Sequence, residues 1–176
     1  MSTLNQIEYK IQDLGSIDEQ CALWKEKKVK TVFTNGVFDL LHRGHIDYLS
    51  KAAELGDKLI IGLNSDESVR KLAKGPSRPI KDEYSRALIL ASLFFVDAVV
   101  IFGESTPGKL IKVISPDVLV KGGDYDADAE NPHNEGYIVG SDHVKKQGGS
   151  VRVIPFLPGY STTELEKKII RSHQNR

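Results

Sequence analysis

The chain has 176 residues, with 24 lysines and arginines against 24 aspartates and glutamates and a formal net charge of zero. That length suits one domain with a core of its own, and the even charge argues against a protein that coats nucleic acid or an anionic membrane. Hydrophobic residues at 40% and charged residues at 27% exclude a disordered chain, and a single cysteine, Cys21, excludes a disulfide framework or a cysteine-built zinc site.

Residues 1–28 read as a helical extension in front of one domain that takes up the rest of the chain. The first 20 residues carry acids and no apolar run of signal-peptide length. Strand candidates follow at 29–34, 58–63, 98–102, 117–120 and 151–154. Each is apolar almost throughout rather than alternating, the pattern of a strand buried on both faces of a parallel sheet. Helical periodicity lies between them. Residues 45–55 place Ile46, Leu49, Ala52 and Ala53 on one face and end at Gly56, read as a C-terminal cap. Residues 82–95 and 107–114 predict two more helices, and 161–170 a last one opening on the capping box Ser161-Thr162-Thr163-Glu164. Strands alternating with helices predict an α/β fold, Rossmann-like and doubly wound, with a mostly parallel five-stranded sheet and helices on both faces. Residues 87–102 are the most apolar stretch, too short for a bilayer and broken by Asp97. No membrane partner and a cytoplasmic location are expected. The long polar segment 122–142 breaks the rhythm, and connections of that length in a compact domain tend to carry function.

The strongest local signal is TNGVFDLLHRGHIDYL, residues 34–49. A buried strand ends at Thr34-Asn35-Gly36, the chain turns, and His42-Arg43-Gly44-His45 opens a helix. Open α/β sheets bind ligands at that place, and the free N–H groups of a helix start favour anions there. Gly44 leaves room for a phosphate to approach the backbone, with an imidazole on either side. Each histidine alone would read as a packing or capping residue; the pair around a glycine at such a turn points to a phosphate site.

These residues resemble the H-x-G-H signature of the nucleotidyltransferase superfamily, which includes cytidylyltransferases and adenylyltransferases. That family closes its site with a hydroxyl-rich helix start, similar here to residues 159–164. NSDESVRKLAKGPSRPI, RALILASLFFVDAVVIF, PDVLVKGGDYD and STTELEKKI extend the resemblance along nearly the whole chain, towards the stand-alone form of the D-glycero-β-D-manno-heptose 1-phosphate adenylyltransferases.

The resemblance implies catalytic roles for His42, His45 and Lys74, the histidines on the triphosphate and the lysine between the reacting phosphates. Asn35, Gly36, Val37, Phe38, Gly44, Arg86, Lys109, Ser161, Thr162 and Thr163 would bind nucleotide or phosphate, and Lys121 and Asp124 the nucleotide or sugar. Val37 stands where relatives often have Cys or Thr, a tolerable change if the backbone makes the contact. Arg70, Lys71 and Arg78 read as surface charge. The implied partners are ATP and a sugar 1-phosphate. Mg²⁺ would ride on the triphosphate without a protein metal site, and the assembly would be a homodimer or higher homo-oligomer. The incoming phosphate is already anionic near pH 7, so the task is positioning and charge stabilisation rather than general-base catalysis. A glycerol 3-phosphate (or other alcohol-phosphate) cytidylyltransferase and a non-catalytic nucleotide-binding regulator are the alternatives.

Three other motifs fail. GESTPGKL at 103–110 has Leu110 where a P-loop needs Ser or Thr for Mg²⁺ and reads instead as a helix start capped by Ser105 or Thr106. Asp124, Asp126, Asp128 and Glu135 fall at EF-hand spacing, but Ala129 replaces the required glycine. No G-x-G-x-x-G fingerprint of a dinucleotide site occurs.

Overall fold

A computed structural model describes residues 2–72, 78–123 and 125–174. The chain opens with helix α1 (Thr3–Glu8), strand β1 (Ile11–Gln12) and helix α2 (Leu14–Glu26), then β2 (Thr31–Gly36), α3 (Arg43–Ala53) and β3 (Lys58–Asn64). It continues through α4 (Asp66–Lys71), α5 (Glu83–Ala91), β4 (Ala98–Phe102), α6 (Gly108–Ile114), β5 (Val118–Gly122), α7 (Ser141–Lys146), β6 (Ser150–Ile154) and α8 (Thr162–Gln174). The sheet has six strands in the order β1-β4-β3-β2-β5-β6, every pair parallel.

Alternate side chains of each strand feed two cores. Val32, Leu59, Ile61, Val99 and Val120 pack with Leu49 of α3 and Leu90 of α5 on one face. Phe33, Ile60, Val100 and Leu119 pack with Ile17 of α2, Ile111 of α6 and Val144 of α7 on the other. The winding runs outward from β2 through β3 to β4, then returns to place β5 on the other side of β2. That reversal opens a crevice beyond the carboxyl ends of β2 and β5, the ligand position of doubly wound sheets.

The sixth strand is the main difference from the five predicted. β1 is two residues long and pairs with the edge of β4, the pairing prolonged by the Val99 N–H donating to the Lys10 carbonyl at 2.8 Å. The N-terminal segment is therefore helix, strand and helix, and it covers a sheet edge that would otherwise carry unpaired backbone groups. α5 stops at Ala91, short of the predicted Phe95, and Lys10 Nζ donates to the carbonyl of Leu93 in the turn beyond it. Gly56 serves a close approach rather than a cap: a Cβ there would stand 2.8 Å from the Lys30 carbonyl oxygen and 2.7 Å from Val32 Cγ2. Ser105 and Thr106 do not cap α6, whose N-cap is Pro107 without a side-chain bond. Among the described residues, no helix is long and apolar enough to cross a membrane.

Candidate active site

β2 and β5 deliver the floor of the site. Lys121 Nζ donates to Asn35 Oδ1 at 2.6 Å, tying the ends of the two strands together across the reversal point. Under them, Thr34 and Tyr48 share a buried hydroxyl–hydroxyl hydrogen bond of 2.6 Å that fixes α3 against β2. The chain then turns through Phe38, whose φ of 47° is a left-handed conformation uncommon outside glycine. The turn lays the Phe38 ring over Gly36 and edge-on to His45, the rings 5.4 Å apart at 66°.

Asp39 fixes that turn. Its carboxylate accepts the N–H groups of Ile80 (2.9 Å) and Lys81 (3.0 Å) and Arg78 Nη1 at 2.7 Å. Burial opposes ionisation of Asp39, but the two N–H groups and the guanidinium outweigh it and hold its pKa below the usual carboxylate value.

His42 is the N-cap of α3 by backbone geometry and makes no side-chain cap bond. Its ring stacks on His45 with centroids 3.8 Å apart and an interplanar angle of 22°. Burial lowers the His42 pKa, and its Nδ1 is buried without a hydrogen-bond partner among the described residues, so the resting imidazole is neutral. Gly44 also has a steric use within the protein itself. A Cβ there would meet His42 Nδ1 at 3.1 Å and Tyr160 Cβ at 3.0 Å, so the glycine makes room for the imidazole and for the approach to α8.

The cleft so built is about 750 Å³, within the range of small-molecule sites. Of the residues singled out in the sequence, Asn35, Gly36, Val37, Phe38, His45, Lys121, Thr162 and Thr163 are brought together along its wall. His42 and Ser161 border an adjoining pocket of about 420 Å³ with Lys167, Lys168 and Arg171. Ser161 Oγ accepts the Glu164 N–H at 3.1 Å, one half of the predicted capping box; the Glu164 carboxylate accepts Lys167 Nζ at 3.0 Å. Lys74 and Asp124 lie outside the described residues.

Two expected phosphate ligands stand elsewhere. The Arg86 side chain is 0% exposed and absent from the cleft wall. Its Nη2 donates to Asp66 Oδ1 at 2.6 Å, Nη1 to the Val37 carbonyl at 2.7 Å and Nε to the Lys81 carbonyl at 3.0 Å. A guanidinium so engaged positions the two loops that flank the cleft rather than touching a ligand. Lys109 is also absent from the wall; its exposed ammonium faces Glu104 at 3.4 Å.

The structure brings in residues the sequence reading passed over. Asn64 enters from the end of β3, and Ser105, Thr106 and Pro107 from beyond β4. The long segment after β5 is anchored by the buried Ala129 and Ile138 and contributes Tyr125, Tyr137 and Val139. Arg78 is not surface charge: its side chain is 12% exposed and bridges Asp39 to Glu166 Oε2 of α8, 2.7 Å away. The length of 122–142 is the only one of these signals visible in the sequence.

Among the described residues no group of three or more His, Cys, Asp or Glu side chains could hold a metal ion. Asp39, the one carboxylate lining the cleft among those residues, is already engaged by three donors.

Residues 33–168 match the family model described as Cytidylyltransferase-like. The bifunctional protein HldE of Wolinella succinogenes is 50% identical over 160 residues, 91% of this chain and 31% of that protein. HldE of Campylobacter jejuni subsp. doylei is 47% identical over 169 residues, 96% of this chain and 34% of that protein. The chain thus spans about a third of the length of these curated relatives. Among solved structures, the lipopolysaccharide core biosynthesis protein of Thermoplasma volcanium GSS1 superposes with a TM-score of 0.55 at 29% identity, over 73% of this chain and 97% of that one. Pantoate-beta-alanine ligase of Francisella tularensis has a TM-score of 0.54 at 17% identity, over 89% and 75%, a likeness of fold.

Proposed function

Because this chain belongs to the Cytidylyltransferase-like family of nucleotidyltransferases, we propose that its cleft transfers AMP from ATP to a sugar 1-phosphate, giving a nucleotide-sugar and pyrophosphate. D-glycero-β-D-manno-heptose 1-phosphate is the proposed acceptor and ADP-heptose the product. The observation that carries this reading is the convergence on one cleft of three features: His45 of α3, stacked on His42 of the adjoining pocket; the Thr162 and Thr163 hydroxyls opening α8; and Lys121 at the end of β5.

The acceptor supplies a phosphate oxygen, which attacks the α-phosphorus; the bond to the bridging oxygen of the β-phosphate breaks, and pyrophosphate leaves with the electron pair. No general base is needed, because the second pKa of a phosphate monoester is about 6. The barrier lies in bringing two polyanions together and in the charge that gathers on the leaving group. His42 and His45 serve the leaving pyrophosphate, with Thr162 and Thr163 on its distal oxygens and Ser161 capping the helix that carries them. Two stacked rings at 3.8 Å repel if both are protonated, so the arrangement favours one imidazolium at a time beside a bound phosphate. Lys121, held by Asn35, faces the acceptor side with Tyr125, whose ring lies 5.5 Å from its ammonium. Lys74 bridges the α-phosphate and the attacking phosphate, and Asp124 contacts the nucleotide or sugar. Mg²⁺ enters as magnesium–ATP and screens the triphosphate. A homodimer or higher homo-oligomer belongs to the same reading, in which the exposed Phe94 ring (92%) is a side chain for a second copy to cover.

A pyrophosphate-release screen over four nucleoside triphosphates and a panel of sugar and alcohol phosphates tests the assignment. Turnover should be greatest with ATP and the heptose 1-phosphate. Faster turnover with CTP and glycerol 3-phosphate would replace it with the alcohol-phosphate reading, and ATP binding without turnover on any acceptor would leave a regulator.

A further inference from the structure

Arg78 joins three elements. Its Nη1 meets Asp39 Oδ2 at 2.7 Å and its Nη2 meets Glu166 Oε2 at 2.7 Å, with the three side chains 12%, 4% and 31% exposed. The two halves of this bridge differ in kind. Asp39 is buried and held from behind by the Ile80 and Lys81 N–H groups, so the first guanidinium edge is fixed. Glu166 is a partly exposed carboxylate on α8, a helix whose Ile169 and Ile170 remain about half exposed. It lies one helical turn beyond Thr163, on the side of α8 that faces the cleft wall.

The charges add a second argument. With Glu166 in place, the trio of two carboxylates and one guanidinium carries one net negative charge at the rim of a cleft read as a polyanion site. Without Glu166 it is neutral, and the guanidinium presents a free edge to the cleft it already lines. Phosphate oxygens match that edge as well as a carboxylate does and carry more charge. We propose that Glu166 keeps the place of a substrate phosphate at Arg78, and that nucleotide binding exchanges the carboxylate for phosphate oxygens. Arg78 is then a further phosphate-binding residue of the cleft, and Glu166 a built-in competitor that leaves it when substrate enters. This rests on the nucleotide-binding reading above.

The alternative is a plain clasp, in which the Arg78–Glu166 pair only holds α8 in position; the two differ in the sign of one substitution. Removing a competitor tightens binding, whereas breaking a clasp weakens it. The test is titration calorimetry with magnesium–ATP, and separately with inorganic pyrophosphate, on the whole chain and on E166Q, R78Q, R78K and the R78Q/E166Q pair, each first checked for a cooperative thermal transition. Exchange expects E166Q to bind about 2- to 5-fold more tightly, the worth of an ion pair that water still reaches. R78Q should bind at least about tenfold more weakly, as expected for losing a charge-assisted hydrogen bond, and R78K should fall between. In the R78Q background the E166Q gain should vanish, because no guanidinium remains to be released. Unchanged or weaker binding by E166Q overturns the proposal. An equal gain with and without Arg78 also overturns it, since that is a general charge effect. Failure of the unaltered chain to bind either probe would instead contradict the nucleotide-binding reading itself.

Discussion

Replacing Arg86 with methionine separates a positioning role from direct phosphate contact. The guanidinium is wholly buried and donates to Asp66, the Val37 carbonyl and the Lys81 carbonyl. Removing one partner of a buried ion pair costs about 3–5 kcal/mol, because the other charge and its acceptors stay behind unsatisfied. The partial exposure of Asp66 lets water reach the remaining carboxylate and puts this site at the lower end, about 3 kcal/mol. For a chain of this size that is a fall in Tm of roughly 6–12 °C. D66N should cost less, and the pair of substitutions should cost clearly less than the two losses added, since both remove one interaction. Differential scanning calorimetry of the three variants, with ATP titrations alongside, provides the measurement. A Tm within a degree of the unaltered chain together with tenfold weaker ATP binding would refute the reasoning and make Arg86 a phosphate ligand.

H42A and H45A should each lower pyrophosphate release on the order of 10²-fold, as removal of a preorganised donor does, while circular dichroism stays unchanged; near-normal release from both would remove them from the chemistry. Burial depresses the His42 pKa below its ordinary 6.5, so the unfolded chain binds the proton more readily. Stability from this group is complete above about pH 6.5 and is lost as pH falls through the depressed value. Urea unfolding from pH 5 to 7 should show that slope and H42Q should lessen it; an identical profile would mean that His42 contributes none of it. G44A should gain helix propensity but must displace His42 or Tyr160, 3.1 and 3.0 Å from the new methyl. Its kcat should fall at least tenfold with Tm within a few degrees, and full activity would mean that the imidazole stack tolerates the shift.

How much of this was legible beforehand depended on distance along the chain. The strands β2 to β5 announce themselves by continuous apolar runs, because a central parallel strand is buried on both faces; β6, at the sheet edge, carries the exposed Arg152 within its run. β1 does not: two residues, one of them Gln12, are strand only because β4 lies beside them. His42, His45 and the hydroxyls of α8 were readable because a strand-to-helix turn and a capped helix start are each encoded within a few residues. Arg78 and Arg86 were misread for the opposite reason. Their roles are set by Asp39, 39 residues away, and Asp66, 20 residues away. A sequence carries no local mark of whether an arginine faces water, a ligand or a buried carboxylate. Tyr125 and Tyr137 reach the cleft because Ala129 and Ile138 pin the long connection, and only the length of that segment hinted at a use. The zero net charge likewise conceals the distribution: the described wall of the cleft carries Arg78 and Lys121 against Asp39, one net positive charge before the histidines are counted.

The most direct measurement follows the label when the chain is incubated with heptose 1-phosphate and ATP labelled at the α-phosphate. The expected result is one labelled nucleotide-sugar per pyrophosphate released, with the acceptor's own phosphorus retained beside the sugar. Label recovered only in AMP or unreacted ATP, with no nucleotide-sugar formed from any acceptor phosphate, would contradict transfer between two phosphates in this cleft.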